Sequence, residues 1–340
     1  MQHEAILYEK GDDNQVHCRM CAHRCRILPG KRGICRVREN RGGTLYTLVY
    51  GKLVAEHVDP IEKKPLYHFL PGSVSYSVAT AGCNLSCRHC QNYEISILSP
   101  NDTSIPGQFR TVDEVVNKAL ASGCRSISYT YTEPTIFLEY ALDCCRQGRE
   151  AGLKNVFITN GFMTPEAIDM VTPCLDAANV DLKGATDDFY HQVCGARLEP
   201  VLETIRALYE AGVWIEVTTL LIPGLNDDER SLGFIAEFIA SIDPLIPWHI
   251  SRFFPTYKMT DRPPTPMGSL RRAERAGRNE GLKYTYLGNI SQGNDQTLCH
   301  NCGHLLLERS GFTLISSNLS QDGACPKCGT AFYGVPGEGS

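Results

Sequence analysis

The chain has 340 residues, 42% of them hydrophobic, enough to bury a large core and to leave room for one barrel-sized unit with small attachments. Its formal charge of -5 comes from interspersed acids and bases, so the overall field gives no case for a nucleic-acid or acidic-membrane partner. No apolar run approaches the roughly 18 residues of a membrane span, and the opening MQHEAILYEK lacks the charged-then-apolar pattern of a secretory signal, so the expected location is cytoplasmic, with no membrane partner.

Residues 1–72 are expected to form a separate Cys-rich metal-binding module. Eleven of the sixteen cysteines fall in three tight clusters, which in a long chain of this kind points to metal ligation rather than disulfides. The first cluster is Cys18-Arg19-Met20-Cys21-Ala22-His23-Arg24-Cys25, with Cys35 after a nine-residue gap. Four thiols suffice to close a site, and the spacing suits either zinc or an auxiliary iron–sulfur cluster; His17 or His23 could replace a cysteine. Arg19, Arg24, Arg26, Lys31, Arg32, Arg36, Arg38 and Arg41 surround the group, with Glu39 the nearby acid. Such a patch suits RNA, an acidic partner or a phosphate, or is simply a solvated surface. A strand-like run at Thr44–Val54 follows, then a linker at Pro60–Pro71.

Over residues 73–290 short β-branched or aromatic runs alternate with longer amphipathic ones, the rhythm of βα units around a parallel sheet. The expected strands are Val74–Ala79, Ser126–Tyr131, Asn155–Thr159, Ala178–Asp181, Trp214–Leu220 and Trp248–Phe253, with an extra one at Lys283–Leu287. The first helix opens at Thr111 ahead of Val112-Asp113-Glu114, where a capping hydroxyl and an acidic first turn suit the free amides and the positive helix end. Six such units make an α/β fold of the partial (β/α)6, TIM-like barrel kind. Arg262-Pro263-Pro264-Thr265-Pro266 breaks the last unit with a stiff turn, and Gly288–Asp295 reads as a linker.

Directly after the first of these strands comes Ala81-Gly82-Cys83-Asn84-Leu85-Ser86-Cys87-Arg88-His89-Cys90-Gln91-Asn92. Three thiolates spaced C-x3-C-x2-C can hold three irons of a cubane and leave the fourth iron open to a substrate or cofactor. The alternative is a structural zinc knuckle completed by His89 or a distant residue. In the last part, residues 291–340, Cys299-His300-Asn301-Cys302 and Cys325-Pro326-Lys327-Cys328 give two C-x2-C knuckles 22 residues apart, each followed by a glycine. This is the spacing of a zinc ribbon, with a rubredoxin-type iron as the lesser alternative.

The triad, its place after the first strand and the βα series behind it resemble the radical S-adenosylmethionine superfamily. The resemblance implies a [4Fe-4S] cluster on Cys83, Cys87 and Cys90, the catalytic centre, whose open iron chelates S-adenosylmethionine. It also implies a set of cofactor contacts. Tyr131-Thr132-Glu133-Pro134 is similar to the family's Gly-Gly-Glu-Pro segment, which meets the methionine amino group; here both glycines are replaced. Thr159-Asn160-Gly161 and Asp181-Leu182-Lys183 match segments that, in the glycyl-radical-activase branch, meet the carboxylate and ribose, Lys183 supplying the counter-charge. Where that branch has an aspartate before the threonine, this chain has Ile158. Ile222 would pack on adenine, and His89 and His249 complete the expected contacts. The three-part layout, with Cys35-Arg36-Val37-Arg38 in the first module, further resembles the AmmeMemoRadiSam-system branch.

These readings imply an enzyme that takes one electron from an external flavodoxin- or ferredoxin-type donor and cleaves S-adenosylmethionine to a 5′-deoxyadenosyl radical. The radical abstracts a hydrogen atom from a substrate that the residues do not name; a protein or RNA is one class of candidate. A glycyl-radical-enzyme activase is one alternative, although Gln91 replaces the histidine often found there. A non-catalytic, zinc-dependent nucleic-acid or protein-binding protein is the alternative from another class.

Overall fold

The computed structural model of the chain describes residues 3–100, 102, 104–290 and 296–337. Seven parallel strands lie side by side in chain order: Val74–Thr80, Ser126–Tyr129, Lys154–Thr159, Ala177–Asp181, Trp214–Leu221, Trp248–Arg252 and Thr285–Gly288. The seven expected strands of the βα series are present with only their ends shifted, whereas the strand-like run Thr44–Val54 is divided between Thr44–Thr47 and Lys52–Pro60, which lie in different sheets. Their interiors are almost continuously buried, as expected where both faces of a parallel sheet are covered. The protein is therefore of the α/β class.

Helices cover one face. The Val112–Ala121 helix starts at Thr111, whose hydroxyl accepts from the Glu114 amide at 3.2 Å while the Glu114 carboxylate accepts from the Thr111 amide at 2.7 Å. This reciprocal cap contributes about 1 kcal/mol and turns Val115, Val116 and Ala119 toward the sheet.

The sheet reaches further back along the chain than the sequence suggests. Lys52–Pro60 pairs antiparallel with Val74–Thr80, and Gln108–Phe109 adds an outer strand, so part of the first seventy residues belongs to the central sheet. The expected linker at Pro60–Pro71 is also not a free connection. Ile61, Leu66, Phe69 and Leu70 are buried against Val156, Ile158, Ala177 and Trp214. The Tyr67 and His68 amides donate to the Glu216 carboxylate at 3.0 and 2.8 Å, and Asn179 donates to the Pro65 carbonyl at 2.8 Å. The prolines that punctuate this segment shape a turn that plugs the sheet rather than a spacer.

The C-terminal part locks onto that plug. Leu70 and His68 exchange backbone bonds with Val335 at 2.7 and 2.8 Å, and the buried Arg309 reaches the Tyr67 carbonyl and lies 3.6 Å from Glu62. Its own sheet has three short strands, Thr297–Leu298, Leu305–Ser310 and Thr313–Ser317. Of the expected linker Gly288–Asp295, residues 291–295 lie outside the described residues. Among the described residues no helix is long and apolar enough to cross a membrane.

Candidate active site

The loop carrying Cys83, Cys87 and Cys90 leaves the carboxyl end of the Val74–Thr80 strand, the end at which parallel sheets gather their chemistry. Gly82 makes the exit possible. It has φ 95°, and a Cβ there would meet Val37 Cγ1 at 2.8 Å and the Cys35 carbonyl at 2.9 Å. The loop is then pinned from several sides: Gly82 donates to Ile95, Ser86 to Cys194 and Arg88 to Val193, at 2.8 to 2.9 Å. The Leu85 amide donates to Cys83 Sγ at 3.4 Å, the kind of contact that supports a thiolate.

Several expected residues converge on this loop. Asn160 Nδ2 donates to Asn84 Oδ1 at 2.8 Å and lies 3.8 Å from Cys83 Sγ. Lys183 pairs with Asp181 at 2.7 Å, and its backbone is held by Tyr190 and Asn226. Burial opposes the Lys183 charge, but Asp181, then Cys87 and Cys194, outweigh it and keep the ammonium protonated. His89 is buried with Nδ1 unpartnered; burial, then the Lys183 charge, lower its pKa to about 3, so the ring is neutral. Cys194 is wholly buried against the triad, and its hydrogen bond to Cys87 lowers the Cys87 pKa and raises its own.

Tyr131 stands where the resemblance expects glycine and keeps the glycine backbone, at φ 62°. A left-handed aromatic residue costs roughly 1–2 kcal/mol. Its hydroxyl bonds Asp59, the Lys64 ammonium sits 4.5 Å from its ring centroid, and Asn92 donates to its carbonyl at 2.7 Å. Thr132 is tied down as well, donating to the Thr80 carbonyl at 2.9 Å.

At four of the expected positions, Glu133, Thr159, Ile222 and His249, partners within the protein surround the residue. Glu133 is fully buried and its carboxylate accepts from Thr135, from the Thr159 hydroxyl at 2.7 Å and from the Asn160 amide at 2.8 Å. It braces one loop against the next, and Thr159 serves the same brace. Ile222 is fully buried, with its amide donating to the Asn226 side-chain oxygen at 2.6 Å. His249 is the second residue of its strand, in register with Thr218 and through it with Asp181, and its ring bonds Glu216 at 2.6 Å and packs on Tyr67 and Tyr286. The sequence could show that His249 lay in a strand but not that the Glu216 carboxylate on the neighbouring strand would meet its ring.

The two outer cysteine groups differ in spacing. Cys299, Cys302, Cys325 and Cys328 bring their sulfurs together within 4.8 Å, with Cys299–Cys328 and Cys302–Cys325 at 3.6 Å. Among the described residues this is the group with a single ion's spacing; neither the N-terminal four nor the triad is drawn in so far. Cys18, Cys21, Cys25 and Cys35 line one cavity, and neither His17 nor His23 joins them; His23 instead bonds the Asn84 carbonyl at 2.8 Å. The basic patch around them is largely neutralised. Arg32 and Arg41 pair with the nearby Glu39, while Arg19 and Arg24 pair with Glu166 and buried Arg38 with Glu139, two acids that sequence proximity could not reveal.

A family model described as the radical SAM superfamily matches residues 77–233. The chain belongs to the radical SAM superfamily. An uncharacterized protein of Methanocaldococcus jannaschii is 45% identical over 329 residues, covering 96% of this chain and 97% of its own length. The pyruvate formate-lyase 1-activating enzyme of Escherichia coli is 24% identical over 182 residues, 49% of this chain and 71% of that one. A solved radical SAM methyltransferase from Sphaerobacter thermophilus shares the fold with a TM-score of 0.50 at 18% identity, covering 70% of this chain and 71% of that one. Superfamily members are enzymes, and membership implies a [4Fe-4S] cluster, S-adenosylmethionine and an external electron donor. The loop fits such a group. Its thiols are spaced wider than one ion takes, burial and then Glu133 push Cys83 well above the usual thiol range unless positive charge compensates, and the buried His89 Nδ1 lacks a partner.

Proposed function

We propose that the chain is a partial-barrel radical enzyme that holds a [4Fe-4S] cluster through Cys83, Cys87 and Cys90, cleaves S-adenosylmethionine reductively and abstracts a hydrogen atom from a further substrate. The carrying observation is the convergence of the Lys183–Asp181 pair and the Asn84–Asn160 bracket on the triad at one end of the parallel sheet. When bound, the cluster supplies the electron that breaks the S–C5′ bond, yielding methionine and the 5′-deoxyadenosyl radical.

The chain's own residues bind, orient and exclude. Lys183 offers a charge for the methionine carboxylate, and Asp181 fixes where that charge sits. Asn84 and Asn160 set the Cys83 loop against the Thr159–Gly161 turn, so that the thiols and the strand ends move as one body. Fully buried Cys194, Tyr190 and Val193 close the loop from behind and keep water from it.

Around this core we read the cysteine-bearing segment ahead of Lys52 as a metal module, Lys52 to residue 290 as the radical domain, and 291–340 as a zinc ribbon, the layout of the AmmeMemoRadiSam-system branch. The near full-length similarity to the Methanocaldococcus jannaschii protein supports a common layout. The neutralised arginines favour a site on the sheet over a nucleic-acid surface as the working part. Anaerobically reconstituted chain, reduced in the presence of S-adenosylmethionine, is expected to release 5′-deoxyadenosine. Cluster-loaded chain releasing no more than a Cys83→Ala control would sink the proposal.

A further inference from the structure

The N-terminal cysteines are not used by that reaction. Cys18, Cys21, Cys25 and Cys35 come from separate strands and turns, yet line one cavity with Ile136 and Arg38. Three of the four thiols are buried and Cys25 is half-buried. Their spacing favours an occupant larger than a single ion. A zinc ion with Zn–S near 2.3 Å draws its four sulfurs to about 3.8 Å of one another, as the C-terminal group does, with two pairs at 3.6 Å. The N-terminal thiols are set wider: no three of them fall within 4.8 Å of one another. A four-iron cluster needs that wider shell, because each thiolate binds a different iron.

Arg38 is the independent observation. It is 2% exposed, its Nη atoms are held by Glu139, and its Nε has no partner although it is buried at the cavity wall. A buried donor left unpaired costs about 1–3 kcal/mol, so a polar or anionic occupant is called for. A cluster held by four thiolates carries net negative charge, and its sulfurs accept hydrogen bonds.

We propose that Cys18, Cys21, Cys25 and Cys35 hold a second iron–sulfur cluster, of the four-iron class, ligated by protein at every iron and lying directly behind the triad. The backbones that carry the two groups meet at Gly82. Only Gly82 separates Cys83 from the Cys35 carbonyl, and Ile136, three residues past Glu133, forms part of the cavity wall. With no open iron, this cluster can only take up one electron from a flavodoxin- or ferredoxin-type donor and release one electron, and the triad's cluster is its neighbour.

The test is metal counting on full-length chain purified and reconstituted anaerobically. The triple variant Cys83→Ala/Cys87→Ala/Cys90→Ala is expected to keep about four irons and about four sulfides per chain, together with one zinc. Iron-free variant carrying two zincs overturns the proposal. Should the variant fail to fold, native mass spectrometry of the unsubstituted chain decides: two clusters and one zinc support it, one cluster and two zincs overturn it. Reduced unsubstituted chain should also show an electron paramagnetic resonance signal broadened by coupling between two clusters, which the triple variant loses. Formation of 5′-deoxyadenosine is not read here, so a chain with two clusters and no cleavage would defeat the proposed reaction and leave this inference standing.

Discussion

The C-terminal and central cysteine groups share the C-x2-C step, yet the fold puts them to different uses. In the C-terminal group two knuckles face each other on a small sheet, Cys328 reaches the surface, and the sulfurs close to single-ion distance. In the central group one loop supplies three thiols, with no second knuckle opposite. Its neighbours are an ion pair, a neutral histidine and two asparagines. The difference teaches that nuclearity and openness follow from what stands across from the thiols, not from their local spacing.

Breaking one site at a time sharpens the contrast most. Cys83→Ala is expected to bring 5′-deoxyadenosine formation to background and to lower iron while zinc stays constant, read by product chromatography and metal analysis. Cys302→Ala should do the converse, losing zinc while iron and cleavage persist. Loss of iron in both variants would mean that the two sites are not independent.

Lys183→Met acts on the central site without removing a thiol. Loss of one charge-assisted contact of about 1.5–3 kcal/mol should raise the KM for S-adenosylmethionine about 10- to 100-fold. Iron content should be unchanged; a KM equal to that of the unsubstituted chain would remove the residue from the binding role.

The smallest expected effect lies where the N-terminal module meets the body. Burial opposes ionisation of Glu166, but Arg24 and Arg19 outweigh it and hold its pKa at about 2. A depressed carboxyl stabilises the fold above its unfolded value near 4.5 and loses that contribution as pH falls toward about 2. Glu166→Gln should therefore cost about 1 kcal/mol or less at pH 7, since the pair is partly exposed, and the gap should shrink below pH 4.5 in denaturant titrations. A gap that grows on acidification would contradict the assignment.

Much of this was legible because it is local. Alternating apolar runs located the seven strands, Thr111 and Glu114 announced their cap, and Cys83, Cys87 and Cys90 identified the superfamily three residues past a strand end. Asp181 and Lys183 were legible too, being two residues apart at one strand end. Residues facing each other across the sheet were not. The Pro60–Pro71 segment reads as a linker because its prolines break regular structure, and only the open face beside Val156 and Trp214 makes it a plug. His249 reads as a residue at a strand end, and only the fold shows its ring meeting the buried Glu216 carboxylate.

The sequence by itself determined the chemistry available: which thiols exist, how closely the chain spaces them, and which strand ends carry polar groups. Only the tertiary structure decided which of those groups meet. It paired Arg38 with Glu139, 101 residues away, set Cys35 behind Gly82, and brought the Glu133 carboxylate to the Thr159 hydroxyl. The physical reason is that a buried charge or donor must find its partner in space, and chain separation says nothing about where the packed core brings that partner.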